Sequence, residues 1–163
     1  MIQVLFVCLG NICRSPMAEA VFRHQVKQAG LVQKIAIDSA GTGDWHIGHP
    51  PHQGTRDILD KNLIDYKGMQ ARQVTSDDFV QFTYIIAMDE SNVKNLAAFA
   101  PPPKDGEKRA SIHKLLDFAP ARTNKDVPDP YYTGNFQEVY EMVEESCARL
   151  LDFIIEKEHP TTD

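Results

Sequence analysis

The sequence predicts an α/β fold: a four-stranded, parallel, twisted sheet with helices on both faces, a three-layer arrangement of the Rossmann-like or flavodoxin-like kind. Short apolar runs of strand character alternate with stretches of helical periodicity, and a chain that keeps that pace builds a parallel sheet covered on both sides. No internal repeat, low-complexity segment or long linker divides the chain. Residues 1–163 therefore read as a single domain, long enough to bury a full core.

The elements follow in order. A first strand covers about Gln3 to Val7 in the run Met1–Val7. A helix follows from Pro16, with Ala18, Val21, Phe22, Val26 and Ala29 at helical spacing and Gly30 as its stop. Lys34 to Ala40 reads as a second strand running into Gly41-Thr42-Gly43, before a loop rich in Gly, His and Pro from Asp44 to Pro51. A helix is predicted over Gln53 to Lys61, with Ile58 and Leu59 inward. Thr75-Ser76-Asp77-Asp78 has the outline of a capping box ahead of Phe79 and Phe82. Tyr84 to Met88 is a buried-strand run, and Asp89-Glu90-Ser91 opens another helix. Pro101 to Gly106 is a turn-rich loop, and Ile112 to Phe118 reads as a fourth strand with a helix as the alternative. The last helix is capped by Asn135 with Glu138; Phe136, Val139, Tyr140, Val143, Cys147, Leu150, Leu151 and Ile154 make its apolar stripe.

Hydrophobic content of 42% and charged content of 25% are ordinary for a globular protein. A net charge of −6 and a pI near 5.5 exclude a broad nucleic-acid-binding face. Any anion site must be local, made of backbone amides and an arginine. Three cysteines do not suit a secreted disulfide framework. The first apolar run has no basic residues before it and is too short for a signal or a membrane span. These features predict a reduced, cytoplasmic setting without membrane contact.

One loop concentrates the chemistry. The first strand delivers Cys8 into Cys8-Leu9-Gly10-Asn11-Ile12-Cys13-Arg14-Ser15-Pro16, a C-x5-R-S-P string. The strand end exposes the thiol, a helix started by Ser15 and Pro16 points unpaired N–H groups at it, and Arg14 adds a fixed positive charge. All three favour thiolate over thiol. The same loop can wrap successive amides around a tetrahedral oxyanion. A nucleophile at the floor of a phosphate cradle points to phosphoryl transfer to sulfur. The plain alternative is a small, buried, apolar cysteine. Transfer from an ester also needs a proton for the leaving oxygen. Asp129, in Val127-Pro128-Asp129-Pro130-Tyr131-Tyr132, is the candidate acid, because two prolines stiffen its loop and partial burial beside the following aromatics favours the protonated carboxyl. The alternative there is a simple Asp-Pro turn.

With that pair, the chain closely resembles the low-molecular-weight protein tyrosine phosphatases. The resemblance rests on Cys8–Pro16, Asp38-Ser39-Ala40-Gly41-Thr42, Trp45 before Gly48-His49-Pro50, Ala71-Arg72-Gln73-Val74-Thr75, Ala87-Met88-Asp89-Glu90-Ser91-Asn92 and Asp129-Pro130-Tyr131-Tyr132, in the family's order. It implies a protein-tyrosine-phosphate phosphatase working through a phosphocysteine on Cys8. The amides from Leu9 through Gly10, Asn11, Ile12 and Cys13 to Arg14, with the Arg14 guanidinium, would hold the phosphoryl oxygens. Asp129 would protonate the leaving phenol and then activate water. Ser15 would donate to the thiolate, and Asn11 and Ser39 would brace the loop. Leu9, Ile12, Trp45, Tyr131 and Tyr132 would wall a slot for a flat ring. A reversible Cys8–Cys13 disulfide would shelter the nucleophile; the alternative is that Cys13 is a loop residue without redox duty. No cofactor or metal is implied, and the partner would be a phosphotyrosine protein, a small aryl phosphate or a cognate tyrosine kinase. Relatives often carry a histidine just before the Ala-Arg-Gln stretch; here Lys67-Gly68-Met69-Gln70 has none.

Other residues were weighed against duller roles. Cys147 lies on the apolar stripe of the last helix and reads as core. His46, His49 and His52 are spaced like a metal set, but Gly48, Pro50 and Pro51 prevent a shared helical face. Trp45 reads as a rim residue, with core packing as the alternative. Three other functions stay open. An arsenate reductase of the same fold needs relay cysteines on a mobile segment, which Cys147 does not suit. A protein-arginine phosphatase tends to carry Thr where Ile12 stands. A non-enzymatic phosphate-binding module would need neither Cys8 nor Asp129.

Overall fold

The computed structural model describes residues 1–162. Four strands, β1 (Ile2–Cys8), β2 (Ile35–Gly41), β3 (Tyr84–Ala87) and β4 (Ser111–Lys114), form one sheet in the order β2-β1-β3-β4. Every pairing is parallel. The expected four-stranded parallel α/β architecture is thus the observed one.

β1 sits at the centre, and Val4, Leu5, Phe6 and Val7 have no exposed surface. Its side chains alternate between two cores. Val4, Phe6 and Cys8 face α1 (Arg14–Gln28) and α6 (Phe136–Glu158), whereas Leu5 and Val7 join Phe79, Phe82, Ile85 and Leu96 on the other side. That second side carries α3 (Asp78–Gln81) and α4 (Glu90–Leu96); α2 (Gln53–Lys61) packs against α1 and α6. Each aliphatic side chain fully buried in these layers stabilises the fold by about 1.5–3 kcal/mol. In register, Cys8 pairs with Gly41 and Val7 with Ala87. The carboxyl ends of β1, β2 and β3 are therefore level, and the loops leaving them converge.

Local chemistry moves some boundaries. α1 begins at Arg14, two residues before the proline expected to start it. Pro16 then falls within the first turn, where the missing N–H would have no intrahelical partner. Arg14 and Ser15 are consequently held on rigid helix. The capping outline at 75–78 is half realised: Asp78 Oδ2 accepts from Thr75 N–H at 2.8 Å, and the helix lasts one turn. The Ile112–Phe118 segment resolves both ways, as strand to Lys114 and then a 3₁₀ turn over Leu115–Phe118, with Asp117 Oδ2 accepting from Lys114 N–H at 3.0 Å. The stripe of α6 is buried as expected from Val139 to Ile154, but Phe136 leaves it to stack on His52 with ring centroids 5.2 Å apart.

Candidate active site

The Cys8–Arg14 loop turns its carbonyls outward, and each that does so finds a donor. Cys8 O accepts from Thr42 N–H at 3.0 Å and Leu9 O from Gly43 N–H at 2.8 Å. Ile12 O accepts from His52 N–H at 2.7 Å, and Cys13 O from Thr55 Oγ1 at 3.0 Å. Carbonyls tied outward leave the loop amides to face the bowl, the geometry an oxyanion needs. The reversal requires Asn11 at φ 55°, a left-handed conformation that asparagine tolerates better than most residues. Gly41 makes room for it: a Cβ there would stand 2.8 Å from Leu9 O.

Cys8 Sγ lies at the floor, receives Asn11 N–H at 3.3 Å and sits 3.0 Å from Ser15 Oγ. The groups around Ser15 leave its proton available for that second contact. Arg72 N–H donates to Asn11 Oδ1 at 2.9 Å, which fixes the orientation of the Asn11 amide. Asn11 Nδ2 then donates to Ser15 Oγ at 2.7 Å and to Ser39 Oγ at 2.9 Å. Ser39 Oγ donates to Glu19 Oε1 at 2.6 Å. Ser15, accepting from Asn11, keeps its own proton free to donate to the sulfur 3.0 Å away. Asn11, Ser15 and Ser39 were anticipated from sequence; Glu19 and Arg72 were not. Glu19, buried and paired with Arg23, ends the network.

Arg14 is buried and held from three directions. Nη1 donates to Asp89 Oδ2 at 2.6 Å and to Val127 O at 3.0 Å, and Nη2 reaches Asp129 Oδ2 at 3.4 Å. Burial pulls the guanidinium down, but Cys8, Asp89 and Asp129 more than offset it and hold it charged. The sequence places Asp89 at a helix start. It caps that helix, since its Oδ1 accepts from Asn92 N–H at 2.8 Å while the other oxygen grips Arg14.

Asp129 caps α5 (Pro130–Thr133), its Oδ1 accepting from Tyr131 N–H at 3.1 Å. Its carboxylate meets Arg14 and a backbone amide, and it lines the same cavity as Tyr131 and Tyr132. Cys13 is buried beside the bowl. Burial, then the charges of Cys8 and Asp129, push its thiol up to about 12 against a partial offset from Arg14, so it stays a thiol at neutral pH. Cys147 is wholly buried, and burial raises it as well.

Above the sulfur opens a cavity of about 190 Å³. Leu9, Ile12, Trp45, Tyr131 and Tyr132 all line it, as anticipated, together with His46, which sequence reasoning missed. Trp45 and Tyr132 are 66% and 76% exposed, which makes them rim and not core. The Trp45 ring folds back over Gly43, where a Cβ would lie 2.0 Å from it. The three loop histidines have separate places: His46 lies on the cavity wall, His49 O accepts from Ala71 N–H at 2.8 Å, and His52 Nδ1 accepts from Gly54 N–H to cap α2. Among the described residues, no group of three His, Cys, Asp or Glu side chains is arranged to hold a metal.

Comparison with known proteins agrees with this geometry. The model of the low molecular weight phosphotyrosine protein phosphatase family matches residues 3–160. The low molecular weight protein-tyrosine-phosphatase YfkJ of Bacillus subtilis is 54% identical over 152 residues, covering 93% of this chain and 94% of that protein. Its crystal structure superposes with a TM-score of 0.90 at 51% identity, covering 97% of each chain. A Drosophila arginine phosphatase superposes with a TM-score of 0.85 at 34% identity, covering 93% of this chain and 97% of that one. On these grounds the chain belongs to the low molecular weight phosphotyrosine protein phosphatases, a family of hydrolases.

Proposed function

We propose that this protein, as one phosphatase domain over 1–163, hydrolyses phosphotyrosine in proteins and small aryl phosphates through a phosphocysteine on Cys8. The carrying observation is the convergence on one sulfur of the Asn11 amide, the Ser15 hydroxyl and the first turn of α1, with Arg14 beside them. The Cys8 thiolate attacks phosphorus as the bond to the phenolic oxygen breaks. The amides from Leu9 to Arg14 and the Arg14 guanidinium take the charge spreading over the three equatorial oxygens. A phosphoryl group entering the bowl draws Arg14 Nη2 to itself and releases Asp129, whose carboxylate takes up a proton from solvent and gives it to the leaving phenolate oxygen. Asp129, now a carboxylate, accepts a proton from water as that water attacks phosphorus; inorganic phosphate leaves and the thiolate returns. Leu9, Ile12, Trp45, Tyr131 and Tyr132 form the slot for the ring, and Ile12 favours a flat apolar group over a guanidinium.

The three free cysteines suit a reducing cytoplasm, and among the described residues no helix is long and apolar enough to cross a membrane. Peroxide would oxidise Cys8 and Cys13 by two electrons to a disulfide, and cellular thiols would reduce it. An autophosphorylated tyrosine kinase is the natural class of protein partner. The test is turnover of phosphotyrosine against phosphoarginine peptides by the wild type and Cys8→Ser. Release of phosphate from phosphotyrosine alone, lost in Cys8→Ser, supports the reading. Preference for phosphoarginine, or turnover without Cys8, overturns it.

A further inference from the structure

The strap carrying Asp129 crosses the corner where β3 turns into α4. Val127 N–H donates to Met88 O at 2.9 Å, and Val127 O accepts from Arg14 Nη1 at 3.0 Å. One residue earlier, the Asp126 side chain grips the same corner. Its Oδ1 accepts from the Glu90 backbone N–H at 3.0 Å and from Lys114 Nζ at 3.2 Å. Lys114, at the end of β4, also bridges to Glu90 Oε2 at 3.3 Å. Asp89 holds Arg14, and its neighbour Glu90 holds Asp126. A single turn of backbone therefore sets both charged groups that would meet the phosphoryl ester.

Val127 is the one buried residue of 121–129. Apolar packing thus fixes the strap at one point, about which it can pivot. The Asp126 staple supplies the second point. We infer that Asp126, with Lys114, is a positioning residue for Asp129, setting the height at which that carboxyl meets the leaving oxygen. The inference rests on the reading of Asp129 as the acid. The ion pairs are partly exposed, with side-chain accessibilities of 20% and 46% for Lys114 and Asp126, so they contribute little to global stability. Their effect is on placement, where an error of about 1 Å costs up to about 10²-fold in rate.

Leaving-group dependence separates placement from stability. p-Nitrophenolate departs without help, whereas unsubstituted phenolate needs a proton. kcat/KM is measured for p-nitrophenyl phosphate and phenyl phosphate in the wild type, Asp126→Ala, Lys114→Met and Asp129→Ala. Asp129→Ala sets the ceiling, with a loss on phenyl phosphate of about 10²-fold or more. Asp126→Ala loses about tenfold on phenyl phosphate and at most about twofold on p-nitrophenyl phosphate, and Lys114→Met shows the same direction at about threefold. If Asp129→Ala is graded in this way but both staple variants lose equally on the two esters, or lose nothing, the staple inference alone falls. If Asp129→Ala is itself ungraded, the acid reading falls and the inference with it. If Asp126→Ala fails to fold, Lys114→Met decides by the same criterion.

Discussion

Asn11 is the residue whose replacement tests most of the cradle at once. Replacement by Ala removes both donations from Nδ2, to Ser15 and Ser39, and leaves Arg72 N–H without its acceptor. At roughly 0.5–1.5 kcal/mol for each lost bond, the three amount to about 1.5–4.5 kcal/mol. Alanine at φ 55° adds about 1–2 kcal/mol of backbone strain. Asn11→Gly loses the same bonds but not the strain, while its freer unfolded chain costs about 0.4–1 kcal/mol. Urea unfolding should therefore place both variants well below the wild type, with Asn11→Ala lower than Asn11→Gly by up to about 1.5 kcal/mol. Activity should separate differently. Both variants leave the Ser15 proton undirected, so the rate of Cys8 alkylation by iodoacetamide at neutral pH should fall in both by a similar factor of about tenfold, matching one lost charge-assisted bond to sulfur. Normal alkylation rates in either variant would refute donation from Ser15 to the sulfur. An Asn11→Ala variant more stable than Asn11→Gly would refute the strain.

Three further outcomes are expected. Cys13 is raised in the fold from 9.0 to about 12, so its neutral thiol contributes stability that is full below about pH 9 and is lost as pH climbs toward 12. Alkaline unfolding of Cys13→Ser should show a flatter limb over that window, and an unchanged limb would remove Cys13 from the linkage. Asp89→Asn keeps a good helix cap while removing the charge that grips Arg14, so kcat/KM should fall about tenfold with little loss of α4 by circular dichroism; undiminished turnover would free Asp89 of that role. Trp45→Ala should raise KM for phosphotyrosine peptides about tenfold with kcat nearly unchanged, because the rim buries ring surface equally in the ground and transition states. A fall in kcat of the same size would place Trp45 in the chemistry itself.

Much of this protein was readable because the signals were local. Cys8 and Arg14 lie within one loop; Asp129 sits among prolines that announce its turn; Asn135 caps the final helix three residues before Glu138. Strand runs and helical stripes determined the layers, since burial imposes its period on neighbouring residues. The boundary of α1 escaped, because proline is tolerated anywhere in a first turn and marks the start only loosely.

What tertiary structure alone decided is which distant groups meet the loop. Arg72 reaches Asn11 across 61 residues, and Asp89 reaches Arg14 across 75. Glu19 lies nearer, on α1, but its partner Ser39 comes from β2. No spacing along the chain encodes such pairs. They arise because parallel strands end level, so every loop leaving the carboxyl edge of the sheet is folded toward the same few ångströms of space.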